Sequence, residues 1–591
     1  MPPAPSSPTY AGDDFLLDAA AAEECDLVMK GGITSGVVYP YAILELAKRY
    51  RLRSIGGASA GAIAAGFAAA AEYARRGGDP EGFVRLGLRC AALPEILTDL
   101  FQPVPRLRPL LRLGLAATAK SHKIWRVLWS LKWILAIGLF LGAAGYAALV
   151  WLQALVLTRS ALSLDAIPGL IVALALGAVL YVGVALAHLA LKVVPANRFG
   201  LCSGLRQPGY RVPALTEWFH ASLQEIAFGK AEHLPLTFGD LLGDGSAAYS
   251  IDFRAMTTNL SLQRPEVIPR TLLKLLYDPQ VWRELFPAHV IDYLDSVSPS
   301  VAGSPNLREL PAEKDLPVLV GVRMSLSFPI LIQAVPLHLE DFGARVRGEL
   351  GPGEAPPIVP VWFSDGGITS NFPIHFFDSL LPTRPTFAFS LDDLPDTQRK
   401  ADRVNLPQDA AEGAFLPIHK VEGLGGFASS ILASAKDWQD GMQSVLPGQR
   451  QRVVRIRLSK DEGGLNLAMP PSLSAALMTL GQEAGALVRQ AFDFDEHKWR
   501  RTLVAYEELE VLTRNLRKAW PDYGRWYRGY MANVKSYKDR FSLARRKEIA
   551  DRLDALAACA KGMDPPLNAE FPRPTGRLRT VPELGRVDPG S

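Results

Sequence analysis

Two long uncharged segments lie side by side in the first third of the chain. Residues 134–157 contain no charged side chain and one strongly polar one, Gln153. Residues 166–191 contain no formal charge and a single histidine, His188. As a helix, the first segment would be about 36 Å long, which is enough to cross a hydrocarbon core of about 30 Å. The pair predicts a transmembrane helical hairpin rather than two helices buried in a large soluble core.

The charges around this pair predict its orientation. Lys and Arg crowd both outer flanks, whereas the connecting segment has Arg159 as its basic residue. The positive-inside rule therefore places both termini and the domain outside the hairpin in the cytoplasm, with two membrane passes. Small residues, among them Gly142, Gly145 and Gly177, are expected to let the two helices pack closely.

Composition narrows the classes of function. The 591 residues include 64 Lys and Arg against 60 Asp and Glu, which gives a net charge of +4. This near balance argues against a nucleic-acid partner whose binding rests on phosphate neutralisation. The pattern shows no spacing typical of metal ligands, so we expect no metal and no cofactor. The cysteines are scattered and are expected to be reduced core residues: Cys25, Cys90, Cys202 and Cys559.

A serine between two glycines lies at a predicted strand-to-helix turn. Residues 52–55 predict a short strand, and the Ala-rich residues 62–75 predict a helix. Between them, Gly57 and Gly61 permit a turn too tight for side chains, which presents Ser59 at a helix N-terminus. This pattern is typical of a nucleophile elbow.

An earlier glycine turn supplies the second part of a site. Residues 27–29 predict a buried strand that leads into Gly31 and Gly32, with Gly36 closing the turn. Such a turn can aim backbone N–H groups at the point where an acyl oxyanion would form beside the serine.

The serine also needs a base, and Asp365 is the best candidate. It follows a predicted strand at 359–363, and Gly366 and Gly367 leave room for its carboxylate to approach another backbone. A Ser-His-Asp triad is the competing arrangement, with His375 or His419 downstream of the aspartate. It is less favoured because the elbow of an α/β-hydrolase usually follows several strands, whereas Ser59 follows two.

Together these blocks resemble the three ordered motifs of patatin-like phospholipases. The resemblance covers roughly residues 24–395, with the apolar hairpin as an insertion. It implies a three-layer α/β/α patatin-like fold with a mainly parallel sheet. The chain departs from the family pattern at Ile33, where a third glycine is frequent, and at Ser35, where Lys or Arg is frequent.

The resemblance also implies a catalytic Ser59–Asp365 dyad that needs no histidine. Backbone amides of Gly31 and Gly32 would form the oxyanion hole. The remaining motif glycines would support the site: Gly36, Gly57, Gly61, Gly366 and Gly367.

These signals divide the chain into six expected segments. Residues 1–21 form a flexible N-terminal tail, 22–115 the first part of the patatin-like domain, 116–200 the transmembrane hairpin, 201–400 the second part of the domain, 401–564 a mostly helical C-terminal extension, and 565–591 a flexible tail.

The expected function is hydrolysis of a membrane lipid ester through an acyl-enzyme, of the phospholipase or lysophospholipase type. The partners are then the lipid substrate and the bilayer crossed by residues 134–157 and 166–191, without nucleic acid. Two alternatives remain open. A lipid hydroxyl in place of water would make the protein an acyltransferase, and an inactive site would leave a membrane scaffold.

Overall fold

The structure is a computed structural model of the 591-residue chain. It describes residues 9–17, 22–32, 34–118, 123–157, 166–243, 250–271, 273–351, 353–394, 403–408, 412, 418, 421–459, 462–463, 466–467, 469–534, 539, 541–563, 565–567 and 571.

Helices form the larger part of the described chain. In order they are α1 (Tyr39–Ala47), α2 (Ala60–Arg76), α3 (Glu81–Ala91), α4 (Leu93–Ile96), α5 (Arg108–Thr118), α6 (Lys123–Ser130), α7 (Lys132–Leu157), α8 (Ala166–His188), α9 (Val194–Ala196), α10 (Leu215–Phe228), α11 (Phe238–Leu242), α12 (Pro279–Trp282), α13 (Ala288–Val297), α14 (Val318–Ser325), α15 (Gly343–Val346), α16 (Gly423–Ser444), α17 (Pro471–Ala491), α18 (Phe494–Tyr530) and α19 (Leu543–Cys559).

The strands are β1 (Glu23–Met29), β2 (Tyr50–Ala58), β3 (Gly200–Cys202), β4 (Asp252–Asn259), β5 (Arg264–Ile268), β6 (Leu276–Tyr277), β7 (Arg308–Glu309), β8 (Ile330–Ile332), β9 (Val335–Glu340), β10 (Ile358–Asp365), β11 (Thr386–Asp393), β12 (Val404–Asn405) and β13 (Val453–Leu458). All but β3 and β8 belong to one sheet, in the order β12-β13-β11-β1-β2-β4-β10-β9-β6-β7, with β5 also paired to β4.

The centre of this sheet is parallel, as the sequence predicts. Strands β13, β11, β1, β2 and β4 pair in parallel, and the outer strands pair antiparallel. The chain is thus a mixed α/β protein. Because parallel strands end at the same edge, the segments that follow β1, β2 and β4 meet there.

Helices that pack closely against one another cover one face of the sheet. Helix α17 packs on α1, and its glycines make the contact possible: a Cβ on Gly481 would overlap the Val38 carbonyl oxygen, and one on Gly485 would lie 2.5 Å from the Ala42 carbonyl oxygen. The Ala-rich helix α2 packs against β2 in the same layer.

On the opposite face, an irregular segment packs directly on the central strands. Val28 and Ala388 of the central strands, with Val453, pack there against Phe372 and Ile374. The segment 371–377 that carries these two side chains is irregular and contains no helix. Apolar residues of a non-helical segment therefore close the core at this point.

The two apolar segments form long adjacent helices, as predicted. The stretches Lys132–Gln153 and Ile167–Ala196 are long and apolar enough to cross a membrane, and only 11% and 6% of them is buried. Helices α7 and α8 pack against each other, with Gly177 close to Gly142: a Cβ on Gly177 would lie 2.6 Å from the Gly142 Cα. Gly145, by contrast, has open space around it.

The expected flexible tail at residues 1–21 is wrong for its described part. Residues Gly12–Phe15 form a 3₁₀ turn, and the Phe15 side chain is fully buried. Its ring stacks on Phe83 with centroids 5.0 Å apart, and Tyr10 donates a hydrogen bond to Glu45. Burial of two aromatic rings offsets the entropy of ordering this short segment.

The sheet also crosses the expected boundary at residue 400. Strand β13 pairs along β11, from Ala388 opposite Val453 to Asp393 opposite Leu458. The region 401–564 therefore completes the sheet as well as adding helices. Cys25, Cys90 and Cys202 are buried as expected, whereas Cys559 is exposed.

Candidate active site

Ser59 occupies a strained backbone position between β2 and α2. Its φ of 54° and ψ of −128° lie in a region that residues with a Cβ rarely adopt. The side chain is 3% exposed and makes no capping hydrogen bond to α2. The first N–H groups of a helix have no acceptor within the helix. Because α2 begins at Ala60, its first amides lie next to this serine. This is the geometry of a nucleophile elbow.

The glycines around Ser59 are required by backbone contacts. A Cβ on Gly57 would lie 2.6 Å from the Gly61 carbonyl oxygen, and one on Gly61 would overlap the Met29 carbonyl oxygen. A Cβ on Gly36 would lie 2.7 Å from the Ala60 Cβ. The elbow can thus pack directly on the end of β1 and on the first glycine turn.

Ser325 supports the elbow and was not identified from the sequence. The Ser59 N–H donates a hydrogen bond of 3.0 Å to the Ser325 hydroxyl oxygen. Ser325 is the fully buried last residue of α14. The strained turn therefore has a polar partner that satisfies its amide in a buried place.

Asp365 ends β10, two strands away from the serine. In the register of the sheet, Ala58 lies opposite Met256 of β4, and Asp365 lies opposite Thr257 of the same strand. Neighbouring strands are about 4.8 Å apart, so the backbones of Ala58 and Asp365 are separated by about 10 Å. The Asp365 N–H donates to the Ser327 carbonyl oxygen at 3.0 Å.

The Asp365 carboxylate is fixed by the two glycines that follow it. Its Oδ1 accepts a hydrogen bond of 2.7 Å from the Gly367 N–H, and the side chain is 3% exposed. A Cβ on Gly366 would overlap the Met256 carbonyl oxygen, so the chain can pass β4 only with glycine here.

The Asn371 side chain lies close to both predicted catalytic residues. A Cβ on Gly31 would overlap the Asn371 Oδ1 and would lie 3.2 Å from the Ser59 Cβ. A Cβ on Gly367 would lie 2.6 Å from the same Oδ1 and 2.8 Å from the Asp365 Oδ1. One buried carboxamide is therefore near the first glycine turn, the serine and the aspartate, which the sequence alone did not indicate.

The first glycine turn is only partly available as an oxyanion hole. The Gly31 N–H donates to the Asn371 carbonyl oxygen at 2.7 Å, so this amide is engaged. A Cβ on Gly32 would lie 2.6 Å from the Ser35 hydroxyl oxygen and 3.0 Å from Leu391. Together with Gly32, the first amides of α2 are candidate donors. Ile33 lies outside the described residues.

Lys30 supports the site at a distance. Its ammonium donates to the Leu391 carbonyl oxygen at 3.0 Å and forms an ion pair with Asp392 at 3.3 Å. Burial alone would raise the pKa of Asp392, but the charges of Lys30 and Arg455 overcome it and lower the pKa to about 2. The Lys30 charge is thus matched by a carboxylate on β11.

The histidines considered for a triad are placed as follows. His375 packs edge-on against Phe376, with ring centroids 5.4 Å apart, and burial lowers the pKa of its imidazole. Phe376 itself lies against Gly56, three residues before Ser59: a Cβ on Gly56 would lie 2.7 Å from its ring. His419 lies outside the described residues.

An apolar cavity of about 60 Å³ opens at Ser59. Its walls come from α2, α10, the turn after α4 and the chain before β8. They include Leu97, Phe101, Leu215, Trp218, Phe328 and Ile332. A cavity with such walls suits a hydrocarbon chain whose reacting carbon lies at the serine.

Comparisons with known proteins gave one extensive match. The "RpoH suppressor" of Rhizobium meliloti (strain 1021) is 34% identical over 634 residues, covering 95% of this chain and 99% of that protein. A solved structure, "Crystal structure of VipD from Legionella pneumophila", is 13% identical and covers 91% of this chain and 86% of that one, with a TM-score of 0.27. A score this low does not establish a shared fold. No protein-family model matches the chain.

Proposed function

This chain belongs to the same family as the RpoH suppressor of Rhizobium meliloti, and we propose that it is a membrane-anchored, patatin-like lipid acyl hydrolase. The observation that carries this function is the position of Ser59. Its backbone is strained, its side chain is buried and lines an apolar cavity, and the buried Asp365 carboxylate lies two strands away. Strain of this kind costs about 1–3 kcal/mol and persists chiefly at functional sites.

In the proposed reaction, the Asp365 carboxylate takes the proton of the Ser59 hydroxyl as its oxygen attacks the ester carbonyl. The oxyanion of the tetrahedral intermediate accepts hydrogen bonds from Gly32 and the first amides of α2. Collapse breaks the ester C–O bond, and the leaving alcohol takes the proton from Asp365. Asp365 then deprotonates a water molecule, which attacks the carbonyl of the acyl-enzyme. The bond between the acyl carbon and the Ser59 Oγ breaks, Ser59 takes the proton back from Asp365, and the fatty acid is released.

The apolar surroundings fit a lipid substrate. The cavity walls would bind the acyl chain, and the hairpin would hold the site at the surface where an insoluble ester lies. With both termini and the body on the cytoplasmic side, the enzyme would act on the inner leaflet. Short water-soluble esters would use the same serine but gain little from the cavity.

Hydrolysis of a phospholipid and a lysophospholipid in detergent micelles tests the dyad. Ser59→Ala and Asp365→Asn should each abolish release of fatty acid while circular dichroism and the unfolding midpoint stay close to those of the parent. His375→Ala is the matched control and should retain turnover. Undiminished hydrolysis by either dyad variant would exclude the proposed mechanism.

Product analysis separates hydrolysis from acyl transfer at the same site. A substrate with a labelled acyl chain should yield labelled free fatty acid. Transfer of the label to a second lipid would instead assign the acyltransferase function, with Ser59 and Asp365 in unchanged roles.

A further inference from the structure

Helix α16 presents large apolar side chains to solvent along one side. Five of its residues are each at least 53% exposed: Leu424, Phe427, Ile431, Trp438 and Met442. At about 100° per residue, all five fall within an arc of about 60° around the helix axis. We refer to these five residues as the apolar stripe.

The opposite side of α16 is attached to the body of the protein. The Asp440 carboxylate accepts a hydrogen bond of 3.0 Å from the Ser370 hydroxyl and one of 2.7 Å from the Phe372 N–H. Ser444, one turn further along, is buried. At about 100° per residue, Asp440 and Ser444 lie about 170° and about 130° from the centre of the stripe, so the attachment turns the stripe outwards.

We propose that the apolar stripe of α16 docks into the headgroup and upper acyl region of the bilayer that the α7–α8 hairpin enters. This inference rests on the membrane anchoring in the proposed function. In a chain anchored by that hairpin, docking of α16 would be an intramolecular event with a high effective concentration. A narrow apolar face with a Trp and a Phe is the form that helices lying in a membrane interface take.

The charges of α16 specify the kind of lipid surface. Its sequence contains one basic residue, Lys436, and two acidic ones, Asp437 and Asp440, and otherwise small, hydroxyl, amide and apolar residues. Without a basic cluster, docking relies on insertion of apolar side chains and not on anionic headgroups. A neutral phosphatidylcholine surface is therefore sufficient.

Docking would act on the site through Asp440. Its two hydrogen bonds hold residues on either side of Asn371, whose carboxamide lies close to Ser59 and Asp365. A docked α16 would thus fix this segment from the membrane side, and two separate attachments would orient the serine towards the lipid.

Depth-dependent quenching in proteoliposomes tests this inference with the full chain. In a Cys559→Ser background, which removes the exposed native thiol, an environment-sensitive fluorophore is attached at one new cysteine per variant. Ile431→Cys and Phe427→Cys report the stripe, and Phe140→Cys reports the exposed surface of α7. Leu88→Cys, on an isolated exposed leucine of α3, is the matched control. The vesicles are phosphatidylcholine with nitroxide at a shallow or a deep position of the lipid.

The expected result is a loss of fluorescence at 427 and 431 with shallow nitroxide, a loss at 140 with deep nitroxide, and none at 88. The losses at 427 and 431 should be unchanged when phosphatidylserine is added. Quenching at 140 without quenching at 427 and 431 would overturn the inference and leave the anchoring intact, as would equal quenching at 88 and 431. Absence of quenching at 140 would overturn the anchoring itself, whereas ester hydrolysis by Ser59 is measured separately.

Discussion

The Ser59 N–H donates a hydrogen bond of 3.0 Å to the Ser325 hydroxyl, and this contact ties the elbow to the strand of the acid. Two residues after Ser325, the Ser327 carbonyl accepts the Asp365 N–H at 3.0 Å. The Ser364 hydroxyl donates to the same carbonyl at 2.8 Å. One short buried segment thus sets the distance between the two halves of the proposed dyad.

Ser325→Ala should therefore reduce both stability and turnover. It leaves the buried Ser59 N–H without its acceptor, which costs about 1–3 kcal/mol. Misplacement of the hydroxyl should lower kcat by about tenfold to a hundredfold. Urea unfolding and ester hydrolysis in detergent measure the two effects. Ser222→Ala is the control, because that serine is equally buried and its hydroxyl has no hydrogen-bond partner within the described residues. Equal behaviour of the two variants would contradict the role of Ser325.

Gly61→Ala should destabilise the protein through the backbone of β1. The added Cβ would overlap the Met29 carbonyl oxygen and lie 2.9 Å from that of Lys30, so α2 must shift, at a cost of about 1–3 kcal/mol. Gly529→Ala, in α18 with open space around it, should be neutral or stabilised by up to about 1 kcal/mol. The measurement is the free energy of unfolding of both variants. If Gly61→Ala leaves this free energy unchanged, the elbow has room for a methyl group and the prediction is wrong.

Asp392 should make the protein sensitive to acid. Its folded pKa of about 2 lies below the ordinary value of 3.8, because Lys30 and Arg455 favour the carboxylate. The resulting stability, about 2 kcal/mol, is present above about pH 4 and is lost as the pH falls towards 2.

Asp392→Asn should remove this dependence. Between pH 4 and pH 2, the free energy of unfolding of the parent should fall by about 2 kcal/mol more than that of the variant. Asp522→Asn is the control, since Asp522 forms an exposed ion pair with Arg525. Parallel pH profiles for the parent and Asp392→Asn would show that Asp392 does not supply the acid sensitivity.

The hairpin should depend on Gly142 and not on Gly145. A Cβ on Gly142 would overlap the Ala173 carbonyl oxygen of α8, whereas Gly145 has open space. Gly142→Val should force α7 and α8 apart at a cost of about 1–3 kcal/mol. Equilibrium unfolding in mixed micelles, followed by helical circular dichroism, should show a loss for Gly142→Val and little change for Gly145→Val. The reverse order would mean that α8 packs on a different face of α7.

Elements with a strong period or a uniform character were predictable. The predicted strand at 52–55 lies within β2, the predicted helix at 62–75 lies within α2, and the apolar run beginning at Ile134 gives α7. Residues 318–325 were not predictable in the same way. They form α14, and all of them are buried. Without an exposed face, their sequence lacks the alternation of apolar and polar residues that marks an amphipathic helix.

The candidate site was predictable where a motif fixes the backbone. Ser59 and Asp365 are each marked by adjacent glycines whose absent side chains leave room for neighbouring backbone. Ser325 and Asn371 carry no such mark, because their contacts join residues far apart in sequence, 266 residues in the case of Ser59 and Ser325. The register of β2, β4 and β10 places Ser59 and Asp365 two strands apart, and Ser325 and Asn371 come close to them only in the folded chain.

Covalent labelling of the full-length protein in detergent tests the central claim most directly. A fluorophosphonate probe should add a single adduct, mapped by peptide mass spectrometry to Ser59, and Ser59→Ala should remain unlabelled. Asp365→Asn should react far more slowly, since the hydroxyl then lacks its base. A folded protein that stays unlabelled would contradict the account and leave the inactive scaffold as the remaining function. An adduct on another residue would also contradict the account, because the reactive nucleophile would then not be Ser59.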